Sequence, residues 1–331
     1  HLIEAQPVHD ALAFLLGNLP PQMHLVIATR EDPLLPLSRL RVRRQITELR
    51  AADLCFTNAE AAEFLNQVMG LELSAADIAT LERRTEGWIA GLQLAAISMR
   101  SLDDTASFIQ SFSGSNRLVL DYLIEEVLNQ QPQDVQDFLL QTSILKRLNG
   151  SLCQAVTGQE DSQATLELID RLNLFIIPLD EQRRWYRYHH LFADLLLQRM
   201  NASNPGLINE LHNRAVNWYE RNGDLSEAIQ HALAGNDINT AARLTEIGAL
   251  DALERSDFGF ILKSVDRIPE GALASAPWLF VYHCWALFLT GHIDLGAPKL
   301  TNTDWLLDCC SDDPTQAQKM RGYIAGLKVQ L

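Results

Sequence analysis

Leu25-Val26-Ile27-Ala28-Thr29-Arg30 is the stretch on which the reading of this chain turns. Four apolar or small residues lead into a threonine and an arginine, between His24 and the acidic, proline-punctuated turn Glu31-Asp32-Pro33-Leu34-Leu35-Pro36. A short apolar run bounded by such breakers predicts a strand buried on both faces, as in a parallel sheet covered by helices. Thr29 and Arg30 would stand at its C-terminal end, the edge of an α/β sheet where ligands bind. Ahead of it, Val8, Leu12, Leu15 and Leu16 recur at helical spacing until Pro20-Pro21. Helix followed by buried strand is the second half of a β-α-β unit, so an α/β domain is expected to be entered midway. His1 already falls inside this pattern, and the sequence is expected to be part of a longer chain.

The rest of the composition narrows the classes. With 331 residues the chain has room for two or three domains, and 47% hydrophobic against 21% charged residues is the balance of a globular protein. A formal charge of -15 disfavours a broad nucleic-acid surface. No apolar run approaches the roughly 18 residues that cross a bilayer, so no membrane association is expected. Cys55, Cys153, Cys284, Cys309 and Cys310 form no CxxC pair and read as reduced cytosolic thiols. The histidines show no metal-binding spacing, and neither a metal site nor a catalytic residue is expected. The phosphate-loop pattern GxxxxGK[ST] does not occur; Gly87 to Gly91 lacks its lysine and its preceding strand. These residues alone are therefore not expected to hydrolyse a nucleotide.

Several segments carry chemistry, each with two readings. Arg30 either holds a phosphate oxygen or pairs with Glu31 or Asp32 to fix the turn. Thr29 donates a hydroxyl to the same phosphate or satisfies the strand end. Arg39, Arg41, Arg43 and Arg44 make a solvated helix end or a cationic rim beside the sheet, and Gln45 to Leu49 is strand-like. Thr57-Asn58-Ala59-Glu60 is a capping box that opens a helix burying Ala61, Phe64, Leu65 and Val68 before Gly70. In Thr85-Glu86-Gly87-Trp88-Ile89-Ala90-Gly91-Leu92, the glycines let backbone or ligand approach closely, and Trp88 faces a purine or packs in the core.

Beyond the linker candidate Ser111-Phe112-Ser113-Gly114-Ser115, short helices precede two strands, Leu174 to Leu179 and Trp185 to Tyr188, around a polar turn. That is the layout of a winged helix. His189 and His190 sit where the hairpin gives way to the next helix, either packed or reaching toward a bound diphosphate. After Asn204-Pro205-Gly206 the pattern becomes helical hairpins. Gly223 and Gly291, 68 residues apart, stand in similar turns at twice a 34-residue repeat period. A helical superhelix is expected there, with Trp278, Trp285, Phe288 and Trp305 as core or ligand-facing aromatics.

Four segments in this order, Leu25 to Pro33, Arg50 to Thr57, Thr85 to Ala96 and Tyr188 to Leu196, resemble the MalT-like large LuxR-family transcriptional regulators, a branch of the STAND signal-transduction ATPases. The resemblance implies a mainly α chain with a partial α/β domain. Residues 1–110 would be the C-terminal part of a P-loop nucleotide-binding domain, 111–203 a winged-helix domain and 204–331 a tetratricopeptide-like sensor region. It implies an ATP/ADP switch with Mg2+ in the intact, cytoplasmic protein, which would have at most slow regulatory ATPase activity. A small-molecule or protein inducer would act on the helical repeats; the chain would then self-associate and present a DNA-binding domain lying outside this sequence. By the same resemblance Arg30, with Thr29 beside it, faces the γ-phosphate, Trp88 and Gly91 lie in the segment beside adenine, and His190, or its neighbour His189, lies near the β-phosphate. Many relatives outside this branch carry a proline in the adenine segment, and this chain has none. A rival expectation is a helical-repeat interaction scaffold whose α/β piece is vestigial.

Overall fold

The computed structural model describes residues 5–20, 22–29, 32–100, 105–114, 116–269, 276–301, 303, 306 and 314–329. The chain forms two compact units, residues 1–205 and 206–331.

The first unit opens with helix α1 (Gln6–Gly17), started by a proline in its first turn. The segment that follows departs from expectation. Residues 23–29 form no strand, and Val26 is 91% exposed. A parallel strand is held by neighbours on both edges and covered on both faces, and the described residues supply neither. Residues 45–49 form no strand either. After α2 (Leu37–Val42), Arg41 makes a two-pronged pair with Glu48 at 2.8 Å on each arm. Arg50 bridges Glu48 and Asp32. Arg41 is thus committed to carboxylates and does not stand as a free cationic rim.

From Thr57 onward, local signals and structure agree on where helices start, although of the face expected to be covered Ala61 and Leu65 are buried, Phe64 is half-buried and Val68 is exposed. Glu60 N–H donates to Thr57 Oγ1 and Thr57 N–H to Glu60 Oε2, the reciprocal capping box that starts α3 (Asn58–Ala62). The helix continues as a π-helical segment, Glu63–Val68, and the chain turns at Gly70 with φ of 72°. Ser74 caps α4 (Ala75–Thr85), and α5 (Ile89–Met99) buries Gly91, Leu92, Ala95, Ala96 and Met99. Small and apolar residues around most of α5 allow it to be enclosed by its neighbours.

Two short helices, α6 (Thr105–Ser111) and α7 (Arg117–Leu123), lead into α8 (Gln133–Thr142), α9 (Gly150–Thr157) and α10 (Ser162–Arg171). The antiparallel strands β1 (Ile176–Pro178) and β2 (Tyr186–Tyr188) pair with Ile176 opposite Tyr188 and Pro178 opposite Tyr186. Leu148 bridges Tyr186 and adds a single third rung. The turn between the strands is set by Asp180, whose carboxylate accepts from Arg184 N–H (3.1 Å) and Trp185 N–H (2.8 Å). Helix α11 (His190–Ser203) then buries Leu191, Phe192, Leu195, Leu196 and Met200. Thr142 and Tyr188 hydroxyls bond at 2.7 Å inside this core.

The second unit is built from α12 (Pro205–Arg221), α13 (Leu225–Ala234), α14 (Ile238–Glu254), α15 (Phe258–Val265), α16 (Pro277–Leu289), the short α17 (Ile293–Gly296) and α18 (Pro314–Val329). Its turns share one device. Gly223, Asn236, Ser256 and Gly291 have positive φ, and the residue after each donates its N–H to a carbonyl five residues back. In three of the four, the residue after the turn is an aspartate that caps the next helix: Asp224, Asp237 and Asp257. The intervals between these turns are 13, 20 and 35 residues. Alternate turns, Gly223, Ser256 and Gly291, recur at 33 and 35 residues, close to the 34-residue interval expected of paired helices. Trp278, Tyr282 and Trp285 of α16 gather around Tyr323 of α18, with ring centroids 5.5 to 6.4 Å from it. Phe288 is buried; Trp305, Cys309 and Cys310 lie outside the described residues.

Candidate functional site

Trp88, Gly91, His189 and His190, singled out by sequence, converge at one place in the first unit, where the α4–α5 turn meets the β2–α11 junction. Helix α4 ends with Glu86 in the left-handed region (φ 50°) followed by Gly87 (φ 72°). Gly87 is required: a Cβ there would lie 2.5 Å from Phe56 O, and the backbone closes with Phe56 N–H donating to Gly87 O. Trp88 is presented by this turn and packs against Phe175 (5.0 Å) and Tyr122 (5.7 Å), with His189 at 6.1 Å. A Cβ on Gly91 would lie 2.7 Å from the Trp88 ring and 3.4 Å from Leu191. Protein, not open space, occupies the room that Gly91 leaves.

The two histidines part company. His189 is buried and caps α11: its Nδ1 accepts from Leu191 N–H at 3.3 Å, and its Nε2 lies 2.8 Å from Thr85 O. A carbonyl can only accept, so the proton sits on Nε2 and the ring is neutral. Burial lowers its pKa, outweighing the nearby Glu86 carboxylate. His190 points outward, its side chain 61% exposed and its Nδ1 3.5 Å from Glu86 Oε1.

At the centre stands Glu86, which the sequence reading did not single out. Arg187 reaches it with both arms, at 2.9 and 2.7 Å, and His190 N–H donates to it at 3.0 Å. Burial alone would raise the carboxyl pKa, but these donors together with the Arg187 charge hold it at about 2. A signal was present in both segments. Arg187 stands between two buried tyrosines on a strand, and the alternation of β2 turns it away from them. Glu86 precedes a glycine at a helix end, where the chain must reverse.

The other predicted residues are not gathered here. Thr29 lies in the exposed 23–29 segment, and Arg30 falls outside the described residues. No group of three or more His, Cys, Asp or Glu is arranged for a metal among the described residues. As nucleotide contacts, the residues present fit a margin only: an exposed imidazole at His190 and the edge of Trp88, with Gly91 already covered. A separate groove of about 660 Å³ runs between α9, α10 and Arg184-Trp185, and its lining includes none of these residues. Helix α10, third in the winged helix, carries Glu167 and Asp170, and Asp170 pairs with Arg183. Such a face is poorly suited to a phosphate backbone. Among the described residues no helix is long and apolar enough to cross a membrane.

Comparison with known proteins fits this architecture. Residues 124–208 match the MalT winged helix domain. The chain is 33% identical over 289 residues to the serine/threonine-protein kinase PknK of Mycobacterium tuberculosis, covering 87% of this chain and 26% of that protein. It is 34% identical over 289 residues to the HTH-type transcriptional regulator MalT of Klebsiella pneumoniae and 33% over 291 residues to that of Cronobacter sakazakii, in each case 87% of this chain and 32% of the relative. It thus spans about a quarter to a third of the length of the curated relatives it matches. Asp257-Phe258-Gly259 reads like the magnesium motif of a kinase, yet here Asp257 caps α15 by accepting from Phe260 N–H. Two stretches that each cover 87% of one chain overlap in most of it, so the kinase PknK and the regulator MalT are both similar to largely the same part of this chain. Homology therefore relates this chain to a MalT-like regulatory lineage, with a winged helix domain of the MalT type at its centre.

Proposed function

We propose that the chain is the switching part of an ATP/ADP-controlled, LuxR-type transcriptional regulator. In this reading residues 1–110 belong to the nucleotide-binding domain, 111–203 are the winged helix, and 204–331 begin a tetratricopeptide-like sensor region. Thr29, Arg30, Trp88, Gly91 and His190 border the nucleotide. Inducer bound to the sensor region, with ATP and Mg2+, promotes self-association in the cytoplasm and presents a DNA-binding domain lying outside this sequence. The observation that carries the reading is the direct hydrogen bonding of the Thr85-Glu86 turn to Arg187, His189 and His190. A change at the nucleotide edge would reach the winged helix through that turn. Calorimetric titration of ADP and ATP into the intact regulator tests it: binding that weakens at least tenfold in Arg30→Ala is expected, and absence of binding overturns it.

One observation favours a second reading. Residues 23–29 are exposed and form no strand. In that case the helical region acts as an interaction scaffold beside a vestigial α/β piece. Nucleotide-independent self-association or partner binding by the intact protein would select it.

A further inference from the structure

We propose that Glu86 and Arg187 form a latch that holds the α4–α5 turn against the winged helix and that opens without unfolding either side. Three features of the contact support this. First, beside the packing of Trp88 on Phe175 it carries a concentrated polar contact: one carboxylate takes both arms of Arg187 and the His190 N–H, and Thr85 O takes the His189 ring proton. Four hydrogen bonds thus cross between two chain segments about a hundred residues apart. Second, the partners are only partly enclosed, with Arg187 side-chain exposure at 29% and Glu86 at 18%. Water can take over their hydrogen bonds on opening, which an apolar seam would not allow. Third, Glu86 occupies the left-handed region without being glycine. That conformation is disfavoured for a residue with a side chain and persists when surrounding contacts impose it.

Each side keeps its own support when the latch opens. The turn retains Gly87 on Phe56 and the Thr85 hydroxyl on Leu81 O. The β2 strand retains its pairing with β1, and Tyr188 its bond to Thr142. The latch rests on the switch reading for its purpose, but its existence does not require a nucleotide.

Hydrogen exchange on the nucleotide-free chain tests it, comparing the wild type with Glu86→Gln, Arg187→Gln and the double variant. The expected result is an exchange rate at residues 85–91 and 189–192 raised about tenfold in each single variant. The double variant should be no faster than either single one, and protection in α8 to α10 should be unchanged. The charge-exchanged pair Glu86→Arg with Arg187→Glu should recover part of the protection. Unchanged exchange, additive effects, or loss of protection throughout the first unit would each overturn the latch. Nucleotide titration of the same variants reports separately on the switch reading: absent binding with intact coupling in exchange would refute that reading and leave the latch.

Discussion

Two short apolar segments of the first unit met opposite fates. Leu25 to Thr29 and Ile176 to Pro178 both read as strands, yet only the second is one. The difference is supply of partners. Ile176–Pro178 has Tyr186–Tyr188 eight residues later across a turn fixed by Asp180, and Phe192 of α11 packs against Tyr188. Leu25 to Thr29 asks for parallel neighbours, which need a crossover connection and which the described residues do not provide. A hydrophobic run therefore specifies the need for burial, while topology decides whether that need is met.

The sharpest test of this contrast compares one side chain from each region. Phe192, fully buried beside Phe175 and Tyr188, should cost about 3–5 kcal/mol when cut to alanine. Val26→Asp in the exposed segment should change stability by no more than about 0.5 kcal/mol. Urea denaturation of both variants checks this, and a comparable loss at Val26 would show that the segment is covered in solution.

Acid should act on the packed regions next. His189, His212 and His283 have pKa values lowered chiefly by burial, that of His283 to about 4. Such groups are neutral when folded and take up a proton when unfolded near pH 6.5. Their contribution is intact above that value and declines as pH falls toward the folded pKa. For His283 the loss approaches about 3 kcal/mol by pH 4. Melting curves from pH 7.5 to 5 should fall monotonically, and less steeply in His283→Phe. A flat profile would break the assignment.

Smaller still is Thr142→Val, which leaves the Tyr188 hydroxyl without its partner in the core. About 1–2 kcal/mol should be lost in denaturation, with Tyr188→Phe in the same background restoring part of it. Smallest is Arg41→Ala. The Arg41, Glu48, Asp32 and Arg50 network is exposed and screened, so no shift in melting temperature is expected in 0.5 M salt. A clear shift would mark the network as part of a covered surface.

Legibility in the sequence followed the range of the interaction. Thr57 and Glu60, Ser74, and the aspartates after the turns of the second unit act within three residues, so their roles can be read along the chain. The winged helix was likewise readable, because its strands lie close together and its helices carry clear apolar faces. His189 and His190 were not separable, since adjacent residues share a sequence environment and differ only in which way the chain turns them. Glu86 and Arg187 gave weak local cues, and what joins them is a contact across about a hundred residues.

By itself, then, the sequence determined where helices start and stop, which faces are apolar and where the winged-helix hairpin turns. Those outcomes depend on backbone capping and side-chain period over a few residues. Only the tertiary structure decided that Leu25 to Thr29 forms no strand, that Trp88 and Leu191 fill the room beside Gly91, and that Glu86 rather than a histidine centres the junction. Each of these depends on what distant segments bring to the same place, and on the cost of leaving a charge or a backbone group there without a partner.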